Sequence, residues 1–445
     1  MCLIIYNLLQ TFQNRIKINL PFLQESKLLI AISGGLDSVV LTHLCKETKL
    51  DIALAHCNFN LRVKESDADE IFVQELAKTL KLEVFIQHFD TSNYAKENKL
   101  SIQMAARELR YNWFQELAEH LDLDYILTAH HADDNLETFL INLTRGTGLE
   151  GLTGIPETNG NIVRPLLSFS RDVILDYAKS KQLKWREDSS NASIKYLRNK
   201  LRHEVIPKLK EVNSNVLQNF ENTLQHLRET EDIVEESVNA VLKRAIIDIN
   251  NDEITYDISQ FLKLNNPKAY LYEIFKPFGF TAFNDILSLL TAQSGKQVVS
   301  QSFRLIKDRT HLILAPLPLE DDNEVITINI EEKDKSIQNG IIFFEKAESV
   351  TKTLKNEIFV DAKTLNYPLT VRKWKEGDYF YPLGLNGKKK LSKYFKDEKL
   401  SLLDKEKCLL LCSNNEIIWV INHRADQRYK VNNTTNNIIK ITFKK

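Results

Sequence analysis

Between residues 27 and 150, apolar runs of five or six residues alternate with longer segments whose apolar positions return every three or four residues. Leu28–Ile32, Ile52–Cys57, Val84–Phe89 and Tyr125–Ala129 have the length and composition of buried strands. The segments between them predict helices: one running to about Lys46, one from about Asp67 to Leu80, one from Ser101 to His120 and one beginning near Asp134. This order predicts an α/β domain, a doubly wound parallel sheet with helices on both faces. Ligands of such sheets sit beyond the carboxyl ends of the strands. Met1 to Gln10 reads as an amphipathic opening helix and Arg171–Lys181 as a further one.

Beyond residue 212 the pattern changes. Residues 213–246 are long-period helical with charged clusters, and 254–314 mixes shorter helices with a strand-like Arg304–Leu314. An acidic, proline-flanked stretch around Glu320-Asp321-Asp322 reads as a linker, and from about Ile341 the alternation is that of β-structure. The expected organisation is a catalytic α/β domain at 1–212, a mainly helical domain at 213–318 and a small α+β domain at 341–445.

Behind the first strand stands Ser33-Gly34-Gly35-Leu36-Asp37-Ser38. Two adjacent glycines open backbone conformations in which successive N–H groups cradle an anion. Ser38 is expected to open the following helix, whose positive end adds to the pull on phosphate. Asp37 cannot hold a phosphate, but it suits a Mg²⁺ that a pyrophosphate brings with it. The Gly-Lys-Ser/Thr ending of a phosphoryl-transfer P-loop is absent. A plain serine-glycine turn is the bland alternative.

The fourth strand delivers His130-His131-Ala132-Asp133-Asp134-Asn135-Leu136-Glu137. On a helix starting near Asp133, Asp134 and Glu137 share a face and could grip an ammonium from two sides; they serve equally as acidic helix-start residues. The adjacent histidines point opposite ways on extended chain, which favours hydrogen bonding over a shared metal. His56 ends the second strand, beside either an adenosine or a loop carbonyl. Arg107 and Arg110 lie one turn apart, suited to phosphate and equally to ion pairs with Glu108 or Glu116. Four of the chain's 13 glycines fall in Arg145–Gly154, a concentration that suggests close backbone approach. Arg198 and Arg202, at i and i+4, could face one phosphate backbone or simply solvent.

Taken together, these pieces resemble the bacterial tRNA(Ile)-lysidine synthetase family of PP-loop ATP pyrophosphatases. The match runs in order through Ser33–Ser38, His56, Ala105-Ala106-Arg107, Arg110-Tyr111, His130–Asp134, Glu137-Thr138, the Arg145–Gly154 loop, Arg164-Pro165-Leu166-Leu167, and Glu187–Asn191 with Arg198 and Arg202. It covers roughly the first 205 residues. The resemblance implies that ATP adenylates the 2-keto oxygen of the wobble cytidine in a CAU-anticodon tRNA(Ile), and that free L-lysine then displaces AMP. Ser33, Gly34, Gly35, Leu36 and Ser38 would line the pyrophosphate site and Asp37 would hold Mg²⁺. His56 and Arg107 would lie along the nucleotide, Arg110 would steady the α-phosphate or lysine carboxylate, and Asp134 and Glu137 would bind lysine's ammonium. The chain departs from the family at Phe59, often histidine, and at Asn135, often glutamine. A homodimer also fits the family, though no residue demands it.

Composition changes this picture little. The formal net charge of −1 over 445 residues makes local charge decide any RNA contact. Five cysteines with no C-x-x-C pair point to reduced thiols in a cytoplasmic protein, and no apolar run approaches membrane-spanning length. Local charge does gather around Arg372 and at Lys388, Lys389 and Lys390, among aromatic residues and in a pattern resembling the family's C-terminal domain. An RNA surface is expected there. The stretch Leu400–Glu406 departs from the family, which leaves its contacts in doubt. A PP-loop 2-thiolase would share the adenylation but needs a reactive cysteine, and only Cys57 lies near the loop. An amide synthetase and an ATP-responsive RNA-binding module are the remaining rivals.

Overall fold

A computed structural model describes residues 8–61, 64–187, 197–250, 253–318, 325–337, 340–351, 354–385 and 387–444. The chain divides between Glu235 and Glu236 into two compact units.

In the first unit, α1 (Leu8–Asn19) buries Leu8, Phe12 and Ile16, spaced four apart along one stripe. Of the opening helix expected at Met1–Gln10, Leu8 to Gln10 belong to α1 and residues 1–7 fall outside the described residues. Strands β1 (Lys27–Ala31), β2 (Asp51–Asn58), β3 (Val84–His88) and β4 (Tyr125–Leu127) alternate with α2 (Leu36–Glu47), α3 (Lys64–Leu80), α4 (Thr91–Glu97), α5 (Ile102–His120) and α6 (Ala132–Arg145). Two short strands, β5 (Thr158–Asn159) and β6 (Ile162–Val163), complete a sheet ordered β3-β2-β1-β4-β6-β5, parallel except for the β5–β6 pair. The unit also holds α7 (Leu149–Leu152), α8 (Arg171–Ser180), α9 (Leu197–Lys200), a π-turn at Leu201–Val205 and α10 (Ile206–Val212).

The central strand shows why the sheet is covered on both faces. Leu28 and Ile30 join one core with Phe12, Leu41 and Ile174, whereas Leu29 joins another with Phe114 and Ala118. A strand apolar at consecutive positions can bury them only between two helical layers. Each such side chain contributes about 1.5–3 kcal/mol. Because β1 has β2 on one side and β4 on the other, the chain reverses direction across the sheet there. The loops after β1 and β4 therefore open into one crevice.

Helix α11 (Val216–Ala245) contains the division between the units. The second unit begins with a five-stranded antiparallel sheet, β7 (Ile246–Asn250), β8 (Glu253–Asp257), β9 (Gln297–Val299), β10 (Phe303–Asp308) and β11 (His311–Pro316), beside α12 (Ile258–Leu262), α13 (Pro267–Phe275) and α14 (Phe283–Leu289). The strand-like Arg304–Leu314 is in fact a hairpin, turning at Arg309 with φ +48°. The C-terminal part holds a five-stranded sheet around Leu369–Lys373, Leu409–Ser413 and Glu416–Val420. A four-stranded sheet around Gly340–Ala347 and Ile438–Lys444 and helices α15 (Leu391–Asp397) and α16 (Leu402–Lys407) complete it. On α16, Glu406 takes both terminal nitrogens of Arg304, at 3.0 and 2.6 Å, and Leu403 packs on Ile306 and Ala315. The helix whose contacts the sequence left in doubt is thus a joint within this unit.

Candidate active site

The glycine loop begins with a residue that must be glycine on two counts. Gly34 has φ +84°, and a Cβ there would stand 3.3 Å from the Phe72 ring and 3.5 Å from Val73. Its carbonyl accepts the Arg186 amide at 2.9 Å. Gly35 is the N-cap of α2, so the helix opens at Leu36, two residues before Ser38. Ser38 instead knits the loop: its Oγ donates to the Gly35 carbonyl at 3.0 Å and accepts the Ser33 amide at 3.3 Å. Ser33 Oγ accepts the Gly35 amide at 3.3 Å. The first N–H groups of α2 have no partners within the helix and sit at its positive end, which makes the loop an anion cradle.

Asp37 stands in the first turn of α2. Its Oδ2 is 3.7 Å from Nε2 of His131, while its Oδ1 is buried without a hydrogen-bond partner. Leaving such an oxygen unsatisfied costs free energy, and beside an anion cradle it fits a divalent cation arriving with phosphates. Among the described residues, no group of three or more His, Cys, Asp or Glu side chains could hold a metal by itself.

His131 is the N-cap of α6. Its Nδ1 accepts the Asp134 amide at 3.3 Å, and Asp134 Oδ2 accepts the His131 amide at 3.1 Å, a reciprocal cap. A ring that accepts at Nδ1 carries its proton on Nε2, toward Asp37 and Asp134. Burial opposes charge on this ring, but the Asp134, Asp37 and Asp133 carboxylates outweigh it and raise its pKa. His130 turns the other way, with Nδ1 2.9 Å from Thr128 Oγ1, and burial pushes its pKa down to about 4. His56 donates from Nδ1 to the Ile32 carbonyl at 2.9 Å, bracing the chain that feeds the loop. Burial lowers its pKa too.

Asp134 and Glu137 share a face of α6, and both are already engaged. Arg202 Nε meets Glu137 Oε1 at 2.6 Å, while its Nη2 reaches Glu137 Oε2 at 3.0 Å and Asp134 Oδ1 at 2.9 Å. Arg198 Nε reaches Glu137 Oε2 at 2.9 Å, and its Nη2 reaches Thr138 Oγ1 at 2.9 Å. Arg198 and Arg202 are thus bonded to the acidic face of α6 while staying partly exposed to solvent. Nothing in the local sequence signals pairs some 60 residues apart. Of the polar stretch leading to them, Asp188 to Tyr196 lies outside the described residues. Asp133, with no expected role, holds Lys210 at 2.7 Å and the first amide of α8 at 2.8 Å.

Arg107 and Arg110 are laid on aromatic rings, Arg107 4.8 Å from the centroid of Tyr111 and Arg110 5.1 Å from that of Phe59. The glycine-rich loop is pinned by Asn135, whose Oδ1 accepts the Ile155 amide at 2.7 Å. A Cβ on Gly154, at φ +77°, would come within 2.4 Å of that same oxygen. Cys57 is no ready nucleophile, since burial pushes its thiol up to about 12.

In the second unit the basic cluster divides. Arg372 is buried and grips Asp378 with both terminal nitrogens, at 2.7 and 2.9 Å, so it braces a turn and is not a free phosphate contact. Lys388 lies 3.4 Å from the centroid of Tyr379, and Lys389 pairs with Asp397 at 2.8 Å. Lys390, which precedes α15, is exposed.

A parallel sheet whose first strand feeds a Ser-Gly-Gly-x-Asp-Ser loop, with the acidic start of α6 beside it, defines a PP-loop protein, and the PP-loop domain model matches residues 5–209. The TilS substrate binding domain and TilS substrate C-terminal domain models match 249–317 and 369–441. The chain is 38% identical to a tRNA(Ile)-lysidine synthase of Parabacteroides distasonis over 94% of its own length and 96% of that protein. It is 39% identical to one of Bacteroides thetaiotaomicron over 94% and 95%. Among solved structures it is similar to the U34-tRNA thiolase NcsA of Methanococcus maripaludis, at 17% identity and TM-score 0.40, over 49% of this chain and 78% of that one. The chain belongs to the tRNA(Ile)-lysidine synthase family and is a ligase. None of its helices, among the described residues, is long and apolar enough to cross a membrane.

Proposed function

We propose that this chain uses ATP to adenylate the 2-keto oxygen of the wobble cytidine in a CAU-anticodon tRNA(Ile), then joins free L-lysine to the activated base, so that the tRNA reads AUA in place of AUG. In the first step the keto oxygen bonds to the α-phosphorus, the α–β bridge breaks, and pyrophosphate leaves. In the second the lysine amine bonds to C2, the C–O bond breaks, and AMP departs with that oxygen while the amine gives up a proton. A keto oxygen leaves poorly and AMP leaves well, which is the physical reason for the first step.

The observation that carries this reading is the buried, unpartnered Oδ1 of Asp37 beside the anion cradle, on a side chain whose other oxygen lies 3.7 Å from His131, the N-cap of the helix that carries Asp134 and Glu137. Ser33, Gly34, Gly35, Leu36 and Ser38 would seat the pyrophosphate, and Asp37 would hold Mg²⁺. When bound, that cation neutralises charge on the leaving group. Arg107 and Arg110, laid along rings at the crevice, would steady the α-phosphate or the lysine carboxylate, and Asp134 and Glu137 would take lysine's ammonium. Lys388, Lys389 and Lys390 would meet RNA phosphates.

The test is incubation of the protein with ATP, labelled lysine and an unmodified CAU-anticodon transcript. Label is expected to enter the RNA with one AMP and one pyrophosphate per lysine. No transfer under conditions where the RNA binds would sink the reading.

A further inference from the structure

Glu137 is wholly buried, yet the guanidiniums that hold it stay partly in solvent: the Arg198 side chain is 43% exposed and that of Arg202 24%. Both reach it across the chain, from 61 and 65 residues away. Arg198 comes from the single turn α9 and Arg202 from the π-turn that follows, a geometry concentrated at functional sites. The two guanidiniums balance the two carboxylates, and His131 Nε2 stands a further 3.4 Å from Asp134 Oδ2. An incoming ammonium therefore finds no charge to bind unless a guanidinium leaves.

We propose that Arg198 and Arg202 form an exchangeable latch over the amine site, which the phosphates of the RNA partner draw off Glu137 and Asp134 so that the freed carboxylates receive the amine. This rests on the assignment of Asp134 and Glu137 as ammonium ligands above. The guanidinium fork fits phosphate as well as it fits carboxylate, so the exchange trades three internal ion pairs for contacts to the RNA. Glu137, uncovered by the RNA, is a buried carboxylate without its ion pairs until the amine arrives, and that cost is what draws the ammonium in. The coupling is reciprocal, since an RNA that tightens amine binding is itself held more tightly by the same factor when the amine is present. The latch also orders events, because free lysine meets a closed site until RNA has docked.

Calorimetric titration of L-lysine into the full chain without ATP, where no turnover occurs, tests this. Saturating the protein with the unmodified transcript is expected to tighten lysine binding roughly tenfold. Arg202→Gln is expected to bind lysine roughly fivefold more tightly without RNA, with the RNA effect reduced to about twofold. Equal lysine affinity with and without RNA in the wild type, alongside label transfer in the complete assay, would remove the latch and leave the amine site standing. That outcome decides the matter whether or not the variant folds. Lysine binding in no state, while transfer proceeds, also overturns the latch, because RNA alone then fails to open the site. Binding in no state with no transfer removes both readings. An equal effect from inorganic phosphate in place of RNA would overturn the assignment of the trigger to RNA.

Discussion

Asp378 in the second unit and Asp37 and Glu137 in the first are held in opposite ways. In the second unit Asp378 is saturated from close by: Arg372, six residues away, takes both of its oxygens, and the Lys375 amide adds a third bond at 2.7 Å. In the first unit Asp37 keeps one buried oxygen without a partner, and Glu137 holds two guanidiniums brought from distant sequence. A carboxylate satisfied by its own turn is a fastener. One left short, or supplied only by remote and partly solvated partners, is held ready for something else.

The widest separation is expected from Asp37→Ala. Label transfer should fall on the order of 10³-fold, as when a group that stabilises leaving charge is removed, while the melting temperature holds or rises, because no hydrogen bond to Oδ1 is lost. A large drop in stability would break the contrast at its first member. Arg372→Ala should do the reverse, costing the second unit about 2–3 kcal/mol by stranding Asp378, as read by denaturant unfolding. Tighter or unchanged folding would show that pair to be no fastener.

Acid sharpens the contrast further. His130 is neutral in the folded chain, its pKa pushed from 6.5 to about 4 by burial, so the folded state binds fewer protons there. Its contribution is complete above pH 6.5 and is lost as the pH falls toward 4. Burial would raise the Asp378 carboxyl, but Arg372 and the Lys375 amide outweigh it and hold it below 3.8; its contribution is present above that value and lost beneath it. Thermal melts across this range should show His130→Asn flattening the milder acid loss, and an unchanged slope would count against it. The smallest effect is expected from Lys390→Ala, which should leave stability within about 0.5 kcal/mol and lower the salt slope of RNA binding by about one.

Much of the first unit was legible because its signals are local. The apolar runs marked β1 to β4 to within about two residues, and Ser33–Ser38 declared its loop by residue type alone. Where period failed, so did the reading. Strands β5 and β6 have two residues each, too few to alternate, and α4 is one seven-residue helix with little apolar stripe. The hairpin at Arg309 was read as a single strand because both arms are apolar and the turn is short. The pairing of Arg198 and Arg202 with Glu137, and of Arg304 with Glu406 102 residues on, was invisible for another reason. Charges reveal a partner from sequence only when they share a turn of helix or a hairpin.

Asn135 and Gly154 constrain each other. The oxygen that receives the Ile155 amide occupies the space a methyl on residue 154 would need. The two positions therefore share one small volume, and a side chain added at 154 is expected to be tolerated only where residue 135 is shortened to make room for it.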